Sequence, residues 1–187
     1  MTEVYFSVDI ESDGPLPGPN SMLSLGAAAF NDQGVMLDTF SGNLKSLPQA
    51  KPDPRTMSEF WDKNPEAWKA ATENAEDPAV VMKKFSDWVT KTSGEGRPAF
   101  VGYPAGYDFT FIYWYLVYFT GNSPFSFSAI DIKTYAMAML KTQYRASTKR
   151  NMPKRWFPAT RHTHVAVEDA VEQGLLFMNM LKENVQK

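Results

Sequence analysis

The sequence contains no cysteine. This absence excludes disulfides, thiol nucleophiles and cysteine-based zinc sites, and it agrees with a reducing compartment, so we expect a cytoplasmic protein. Only two of the 187 residues are histidines, which leaves two candidates for any chemistry that needs an imidazole. A chain of this length buries roughly 70% of its unfolded surface, so it can fold without disulfides or structural zinc.

Long hydrophobic runs are also missing. The most apolar stretch, residues 109–120 (FTFIYWYLVYFT), is too short to span a bilayer and predicts a buried helix. No charged leader precedes an apolar run at the N-terminus, so we expect neither a signal peptide nor a membrane partner. The net charge is only −2, so nucleic-acid binding would have to come from a local basic patch.

The hydrophobic patterns predict a mixed sheet flanked by helices. Three early segments indicate strands joined as a meander: residues 4–10, 22–30 and 35–42. Later segments indicate two more strands and six helices: strands at 98–103 and 127–132, and helices at 56–61, from 65, and at 78–90, 108–120, 133–140 and 165–182. No composition break divides the chain. We therefore predict one α/β domain over residues 1–187, with a five- to six-stranded sheet.

Asp9 and Glu11 stand two residues apart at the end of the first predicted strand. Because side chains alternate along a strand, both carboxylates point to one face. Two acids on an apolar strand are costly to bury unless a cation compensates them, and oxygen ligands suit Mg²⁺ or Mn²⁺. The alternative, in which Asp9 caps the turn and Glu11 is exposed to solvent, stays open on this motif alone.

Asp108 and Asp169 are predicted close to the beginnings of two helices. Asp108 follows a buried strand, a position where open α/β folds gather ligands, although aspartate is also a common helix cap. Asp169 would equally fit a surface acid on an amphipathic helix. His164 precedes Asp169 by five residues, about 140° around a helix. The two can converge only if His164 lies in the loop or in the first helical turn.

Taken together, these segments resemble the histidine-bearing (DEDDh) branch of the DEDD exonuclease superfamily, which has an RNase H-like fold. The matching motifs are DIE at 9–11, GYPAGYD at 102–108 and HVAVEDA at 164–170, and the resemblance spans residues 4 to 176. The tyrosine-bearing branch would need a tyrosine where this chain has Val165. Ser12 replaces a usual threonine and Tyr103-Pro104 a frequent His-Asn pair, but neither change touches a metal ligand.

The resemblance implies a metal-dependent 3′→5′ exonuclease that releases nucleoside 5′-monophosphates from single-stranded RNA or DNA. It implies two divalent cations, Mg²⁺ or Mn²⁺, roughly 4 Å apart. Asp9 would bridge both ions. Glu11 and Asp169 would complete the ion that activates the attacking water, and Asp108 would hold the other ion through water. Relatives are often dimers, so the resemblance also allows a homodimer.

The histidines divide the remaining chemical roles. His164 would be the general base, because an imidazole with a pKa of about 6.5 can take a proton from water at neutral pH. His162 is the rival base, but its offset of seven residues from Asp169 fits the motif less well, and it is interpreted as a phosphate contact. Asp131 is interpreted as a helix cap rather than as a ligand.

Residues 141–163 contain seven Lys and Arg residues and no acid, with aromatic residues interleaved. Cations for phosphates and aromatic faces for bases are typical of a single-strand binding surface, although a solvated loop is the alternative. The predicted substrate contacts come from this segment and from the first two motifs: Ser12, Tyr107, Phe111, Arg145, Lys149, Arg150, Arg155, Trp156, Arg161 and His162.

Two other functions use the same residues. A hydrolase of small phosphate esters would employ the same carboxylates but would ignore chain length. A non-catalytic nucleic-acid binding module would need the basic segment without the full set of acids. The sequence does not choose between RNA and DNA, because no contact to a 2′-hydroxyl can be assigned from it.

Overall fold

A five-stranded mixed sheet forms the centre of the protein. The computed structural model describes residues 2–159 and 165–185. The strands are β1 (Glu3–Ser12), β2 (Met22–Asn31), β3 (Met36–Asn43), β4 (Arg97–Gly102) and β5 (Ala129–Asp131), arranged in the order β3-β2-β1-β4-β5. β1, β2 and β3 are antiparallel neighbours, whereas β4 is parallel to β1, and β5 to β4. The predicted α/β class, with a meander at its start, is confirmed.

Six α-helices flank the sheet: α1 (Pro54–Glu59), α2 (Pro65–Thr72), α3 (Pro78–Ser93), α4 (Ala105–Thr120), α5 (Ile132–Leu140) and α6 (Ala166–Val185). The first three begin with proline, which suits a first turn because its missing N–H would have no helical partner there. Asp53 and Asp77 cap α1 and α3 by accepting backbone N–H groups. Within the described residues, no helix combines the length and hydrophobicity needed to cross a bilayer.

The alternation of β1 separates two cores. Its even-numbered side chains, such as Phe6 and Val8, pack with α3 and α4, whereas Tyr5 packs with α5 and α6 on the other face. Asp9 and Glu11 share the parity of Tyr5. The alternation therefore directs both acids to the α6 side of the central strand, as the strand pattern predicts.

Helix α6 lies directly on the sheet because β2 offers it small side chains. Gly26 pairs with Asp9 across β1 and β2. A methyl group at Gly26 would stand 2.1 Å from the backbone nitrogen of Val167 and 2.2 Å from the carbonyl carbon of Ala166. Gln173 adds a buried hydrogen bond from its Nε2 to the carbonyl oxygen of Val8, at 2.7 Å. The start of α6 is thus held against the strand that carries Asp9.

The start of α4 and the extent of β5 are among the predicted boundaries that differ from the structure. α4 begins at Ala105, three residues before the predicted start, because the Asp131 carboxylate accepts the Ala105 N–H at 2.9 Å. Asp131 also caps α5 through the Thr134 N–H at 2.7 Å, which confirms its interpretation as a cap. β5 is shorter than the predicted strand at 127–132, and Phe127 lies outside it with 89% of its surface exposed.

Candidate functional site

The first two acids of the site come from β1. Asp9 pairs with Gly26 and Glu11 with Ser24 on the neighbouring strand, and both acids are partly buried. A register shift follows at once between Glu11 and Ser12. β1 is the central strand, but its pairing with β4 ends at Ser7, so these carboxylates stand at the end of the sheet where β4 has already stopped.

Asp108 comes from the first turn of α4, which follows β4 after two residues. It is only 4% exposed. Its Oδ2 atom is buried and has no hydrogen-bond partner among residues 2–159 and 165–185. A buried carboxylate oxygen in this state is costly, and a metal ion is one of the partners that would satisfy it.

Asp169 comes from the first turn of α6, where its backbone N–H donates to the carbonyl of Val165 at 3.0 Å. It is 3% exposed. Because Gly26 lets the start of this helix approach the sheet, Asp169 comes close enough to Asp9 to affect its ionisation. Three elements distant along the chain therefore contribute acids to one region.

The pKa values of these acids indicate that they lie close together. Burial raises the pKa of Asp9 to about 7, and the charge of Asp169 adds to this increase. Burial likewise raises the pKa of Glu11 to about 8, with contributions from Asp9 and then Asp169. The pKa of Asp108 lies well above its ordinary value because of burial and, next, the charge of Asp9. Each acid thus opposes the ionisation of its neighbours.

The donor set fits divalent cations. In the described part of the chain, no three His, Asp or Glu side chains are grouped so that they could hold a metal ion as they stand. The mutual pKa effects nevertheless place Asp9, Glu11, Asp108 and Asp169 in one neighbourhood. Such an all-oxygen set, with a buried Asp108 oxygen left over, has the chemistry that Mg²⁺ and Mn²⁺ prefer.

Ser12 and Tyr107 link the first two motifs. Their hydroxyl groups lie 2.6 Å apart, and the Ser12 hydroxyl also donates to the carbonyl of Gly14 at 2.8 Å. Ser12 is buried, whereas Tyr107 is 38% exposed. The tyrosine ring therefore lies at the border between the carboxylates and solvent, and the serine holds it there.

The described part of the basic segment, residues 141–159, contains three short 3-10 turns at residues 144–146, 149–151 and 154–156. Arg145 and Arg150 are exposed. Arg155 is exposed too, but it donates two N–H groups to the Glu183 carboxylate at 2.9 Å each. Lys149 is half-buried and lies 3.8 Å from Glu172 on α6.

Two predicted substrate contacts are misplaced. Phe111 is fully buried in the core between the sheet and α4, so its ring has no surface to offer a base. Trp156 is 2% exposed, and its Nε1 donates to Glu183, so it anchors the basic segment to α6 instead of facing solvent. Arg161, His162 and His164 lie outside the described residues.

The sequence reasoning missed Glu172 and Tyr103. Glu172 is 7% exposed, and its charge contributes to raising the pKa of Asp9, after burial and Asp169. Its position three residues after Asp169 places it on the same helical face, a signal that was available in the sequence. The Tyr103 hydroxyl accepts the backbone N–H of Lys149 at 3.0 Å, a contact across 46 positions that no local pattern indicates.

The family model and the curated relative that this chain matches are both described as 3′-5′ exonucleases. The family model described as the 3′-5′ exoribonuclease Rv2179c-like domain matches residues 4–181. The 3′-5′ DNA exonuclease Cap18 of Escherichia coli is 30% identical over 183 residues, which cover 94% of this chain and 90% of that protein.

Solved structures with similar folds are also nucleases. The nuclease domain of 3′hExo, a DEDDh family member bound to rAMP, has a TM-score of 0.70 at 12% identity, over 97% of this chain and 93% of that one. The zinc-bound complex of E. coli ExoI with single-stranded DNA has a TM-score of 0.64 at 15% identity, over 100% of this chain and 41% of that one. At these identities the likeness concerns the fold.

Proposed function

This chain belongs to the 3′-5′ exoribonuclease Rv2179c-like family, and on that basis we propose that it removes nucleoside 5′-monophosphates from the 3′ end of single-stranded RNA or DNA. The predicted resemblance to 3′→5′ exonucleases is confirmed by the family match and by the E. coli relative. The observation that carries the proposal is the electrostatic coupling of acids from three elements: Asp9 and Glu11 on β1, Asp108 on α4 and Asp169 on α6.

These four carboxylates would hold two divalent cations, Mg²⁺ or Mn²⁺. Bound cations supply a Lewis acid for the phosphoryl oxygens and a water of lowered pKa. The charge of Asp9 raises the pKa of both Glu11 and Asp108, and the charge of Asp169 raises the pKa of Asp9. Asp9 therefore interacts with all three other acids, which agrees with a bridging role. The burial of Asp108 and Asp169 keeps bulk water away from their carboxylates and strengthens every charge interaction in the site.

In the proposed hydrolysis, a water oxygen forms a bond to the last phosphorus while the bond from that phosphorus to the preceding 3′ oxygen breaks. His164 stands two residues before α6 along the chain and would take the water proton on an imidazole nitrogen. The leaving 3′ oxygen takes a proton from solvent, so the products are a nucleoside 5′-monophosphate and a strand shortened by one nucleotide.

The remaining strand would lie along the exposed basic side chains. We retain as proposed substrate contacts those predicted residues that face solvent or border the carboxylates: Ser12, Tyr107, Arg145, Lys149, Arg150 and Arg155. The family is described as exoribonucleases, whereas the E. coli relative is called a DNA exonuclease. The proposal therefore covers both polymers, and the experiment compares them.

The direct test uses RNA and DNA oligonucleotides of one sequence, labelled at the 5′ end, with Mg²⁺, Mn²⁺ or EDTA. We expect a ladder that shortens from the 3′ end with either ion and no shortening in EDTA, because the carboxylates alone do not activate water. Chromatography should show nucleoside 5′-monophosphates as the small product.

Three results would contradict the proposal. Internal cuts would indicate an endonuclease. Cleavage of nitrophenyl phosphate esters with no preference for oligonucleotides would indicate a small-ester hydrolase. Oligonucleotide binding that is unchanged in EDTA, with no mononucleotide released under any metal condition, would indicate a non-catalytic binding module.

Thermal stability without metal should fall as the pH rises. The pKa values of Asp9 and Glu11 are raised to about 7 and about 8, so the folded state binds their protons more tightly than the unfolded state does. The stability that this proton binding contributes is full below about pH 4 and is lost as the pH rises through 7 and 8. Between pH 6 and pH 9 in EDTA we expect a loss on the order of 2–4 kcal/mol, or roughly 5–10 °C of Tm.

Calorimetry at several pH values checks this trend. Mn²⁺ should restore more of the Tm at pH 9 than at pH 6, because it compensates charges that exist only after deprotonation. The combined variant Asp9→Asn, Glu11→Gln is the control and should show a flatter Tm profile. An equal slope in the variant and the native protein would refute the assignment to these two acids.

A further inference from the structure

We propose that Lys149 contacts a backbone phosphate near the 3′ end of the substrate strand, and that Glu172 and Tyr103 are the residues that position it. The inference rests on the proposed function, which supplies the strand. It deepens that function by assigning roles to two residues of the site that neither the sequence motifs nor the family likeness single out.

Lys149 extends from the basic segment toward the carboxylates. Its Nζ lies 3.8 Å from Oε1 of Glu172, with 31% of the lysine side chain and 9% of the glutamate side chain exposed. Glu172 follows Asp169 by one turn of α6. Glu172 shares a face of α6 with Asp169, so the ion pair brings the ammonium to the side of the helix that carries a proposed metal ligand.

The ion pair leaves the ammonium able to bind something else. A distance of 3.8 Å is longer than an N–H to oxygen hydrogen bond. The ammonium has three donors, and it makes no hydrogen bond to any of residues 2–159 and 165–185. With 31% of the lysine side chain exposed, the ammonium can exchange water for another acceptor. A phosphate oxygen beside the carboxylates would satisfy these donors and match their charge.

Tyr103 fixes the other end of this arrangement. Its hydroxyl oxygen accepts the backbone N–H of Lys149 at 3.0 Å, and the ammonium lies 5.3 Å from the centre of its ring. Tyr103 directly follows β4 and stands five residues before Asp108. The backbone of the lysine is therefore tied to the loop that leads to one ligand, and its side chain is directed to the helix that carries another.

The other cations in the described part of the segment, residues 141–159, are placed differently. Arg155 is paired with Glu183 through two hydrogen bonds, while Arg145, Arg150 and Lys154 are exposed. Within the described part of the segment, Lys149 is the cation paired with an acid beside Asp9. Exposed cations contribute to the general attraction of a strand, whereas a cation held at a fixed place recognises one phosphate.

The test compares an ordinary oligonucleotide with copies in which one phosphate near the 3′ end is an uncharged methylphosphonate. Affinity is measured by fluorescence anisotropy with Mn²⁺ in the full chain carrying Asp108→Asn, in which shortening is slowed by roughly 100- to 1000-fold, and gel analysis after each reading checks that the oligonucleotide has kept its length. At one of the two linkages nearest the 3′ end we expect neutralisation to weaken binding roughly tenfold, as for a lost hydrogen bond to a charged group.

Adding Lys149→Met should remove the preference for the charged phosphate. The ordinary strand and the methylphosphonate strand should then bind with affinities within about twofold of one another, a difference too small for a charged contact. Lys154→Met is the matched control, since it removes the same charge from an exposed position of the same segment, and it should keep the tenfold ratio. Lys149→Arg should keep most of it.

Glu172→Gln and Tyr103→Phe should each reduce the ratio of the affinities for the ordinary strand and the methylphosphonate strand. Combining either change with Lys149→Met should reduce this ratio no further than Lys149→Met alone, because all three residues act on one contact. Thermal unfolding of each variant separates this from loss of folding. If Lys149→Met retains the ratio of the control, the inference is refuted. If Glu172→Gln removes Mn²⁺ binding in calorimetry as completely as Asp169→Asn does, Glu172 is a metal ligand and its positioning role is refuted.

A native protein that fails to shorten oligonucleotides from the 3′ end would refute the proposed function by itself. Full shortening together with an unchanged ratio in Lys149→Met would refute only the role of Lys149. The two failures are therefore distinguishable.

Discussion

Replacing Asp108 with asparagine is expected to reduce exonuclease activity by roughly 100- to 1000-fold, the range for losing one group that stabilises charge in the transition state. The variant keeps the shape of the side chain but removes its negative charge. Asp108 is 4% exposed, with one carboxylate oxygen lacking a hydrogen-bond partner in the described residues, so its charge has little use in the metal-free fold. In the proposed function, this charge serves to hold a cation.

The same argument predicts the direction of the stability change. Burial and the charge of Asp9 hold the pKa of Asp108 well above its ordinary value, which means that ionising it opposes folding. We expect Asp108→Asn to unfold in EDTA at the temperature of the native protein or a few degrees above it, and to gain less stability from Mn²⁺. A loss of activity with preserved stability is typical of a functional residue, not of a structural one.

Asp87→Asn is the matched control. Asp87 is an exposed acid of α3 that pairs with Lys83, and its replacement should leave both activity and Mn²⁺ stabilisation within about twofold and one degree of the native values. Initial rates on a 5′-labelled oligonucleotide and differential scanning calorimetry give the two readouts. Native-like activity in Asp108→Asn would remove this residue from the site.

Gly26→Ala is expected to be the most damaging single methyl group in the protein. Its new carbon would stand 2.1 Å and 2.2 Å from backbone atoms of Val167 and Ala166, and backbone cannot rotate away as a flexible side chain can. α6 or β2 must shift. We expect a destabilisation on the order of 3 kcal/mol, the upper part of the range for overpacking, and a fall in Tm of roughly 6–12 °C.

This variant should also lose activity beyond what its stability explains. Gly26 is the cross-strand partner of Asp9 and lies under the turn that carries Asp169, so a shift of α6 separates the two carboxylates. A displacement of about 1 Å can reduce a rate on the order of 100-fold. The rate should therefore be measured well below the lowered Tm, where the variant is folded.

Gly106→Ala provides the opposite expectation with the same chemical change. Gly106 lies in α4, and a methyl group there would meet no atom within 4 Å. Because alanine favours a helix over glycine by about 1 kcal/mol, its Tm should rise by roughly 2–4 °C. A Gly26→Ala protein with native Tm and native rate would show that α6 does not need to lie this close to the sheet.

The parts of the fold that follow a local period were predictable. The alternation of β1 was enough to place Asp9 and Glu11 together on one face, and the three early strand segments indicated the meander. The beginning of α4 was not predictable, because Ala105 is capped by Asp131 from 26 positions away. A cap of that kind leaves no trace in the residues just before the helix.

The candidate site, like the fold, was predictable from the sequence only in part. The spacing of acids identified candidates, but spacing cannot say which aromatic side chains are buried. Phe111 and Trp156 stand among plausible contacts in the sequence, yet packing with distant residues buries both. Lys149 could be named as a basic residue, whereas its pairing with Glu172 and Tyr103 depends on tertiary contacts that join the basic segment to α6 and to the loop after β4.

The contribution of α6 has a consequence for the synthesis of this protein. Asp9 lies on the first strand and Asp169 on the last described helix, and chains leave the ribosome N-terminus first. A nascent chain that has emerged as far as α5 carries Asp9, Glu11 and Asp108 but neither Asp169 nor His164. Under the proposed function, such a chain lacks one of the four carboxylates and the proposed base, so it becomes a competent nuclease only after α6 has left the ribosome.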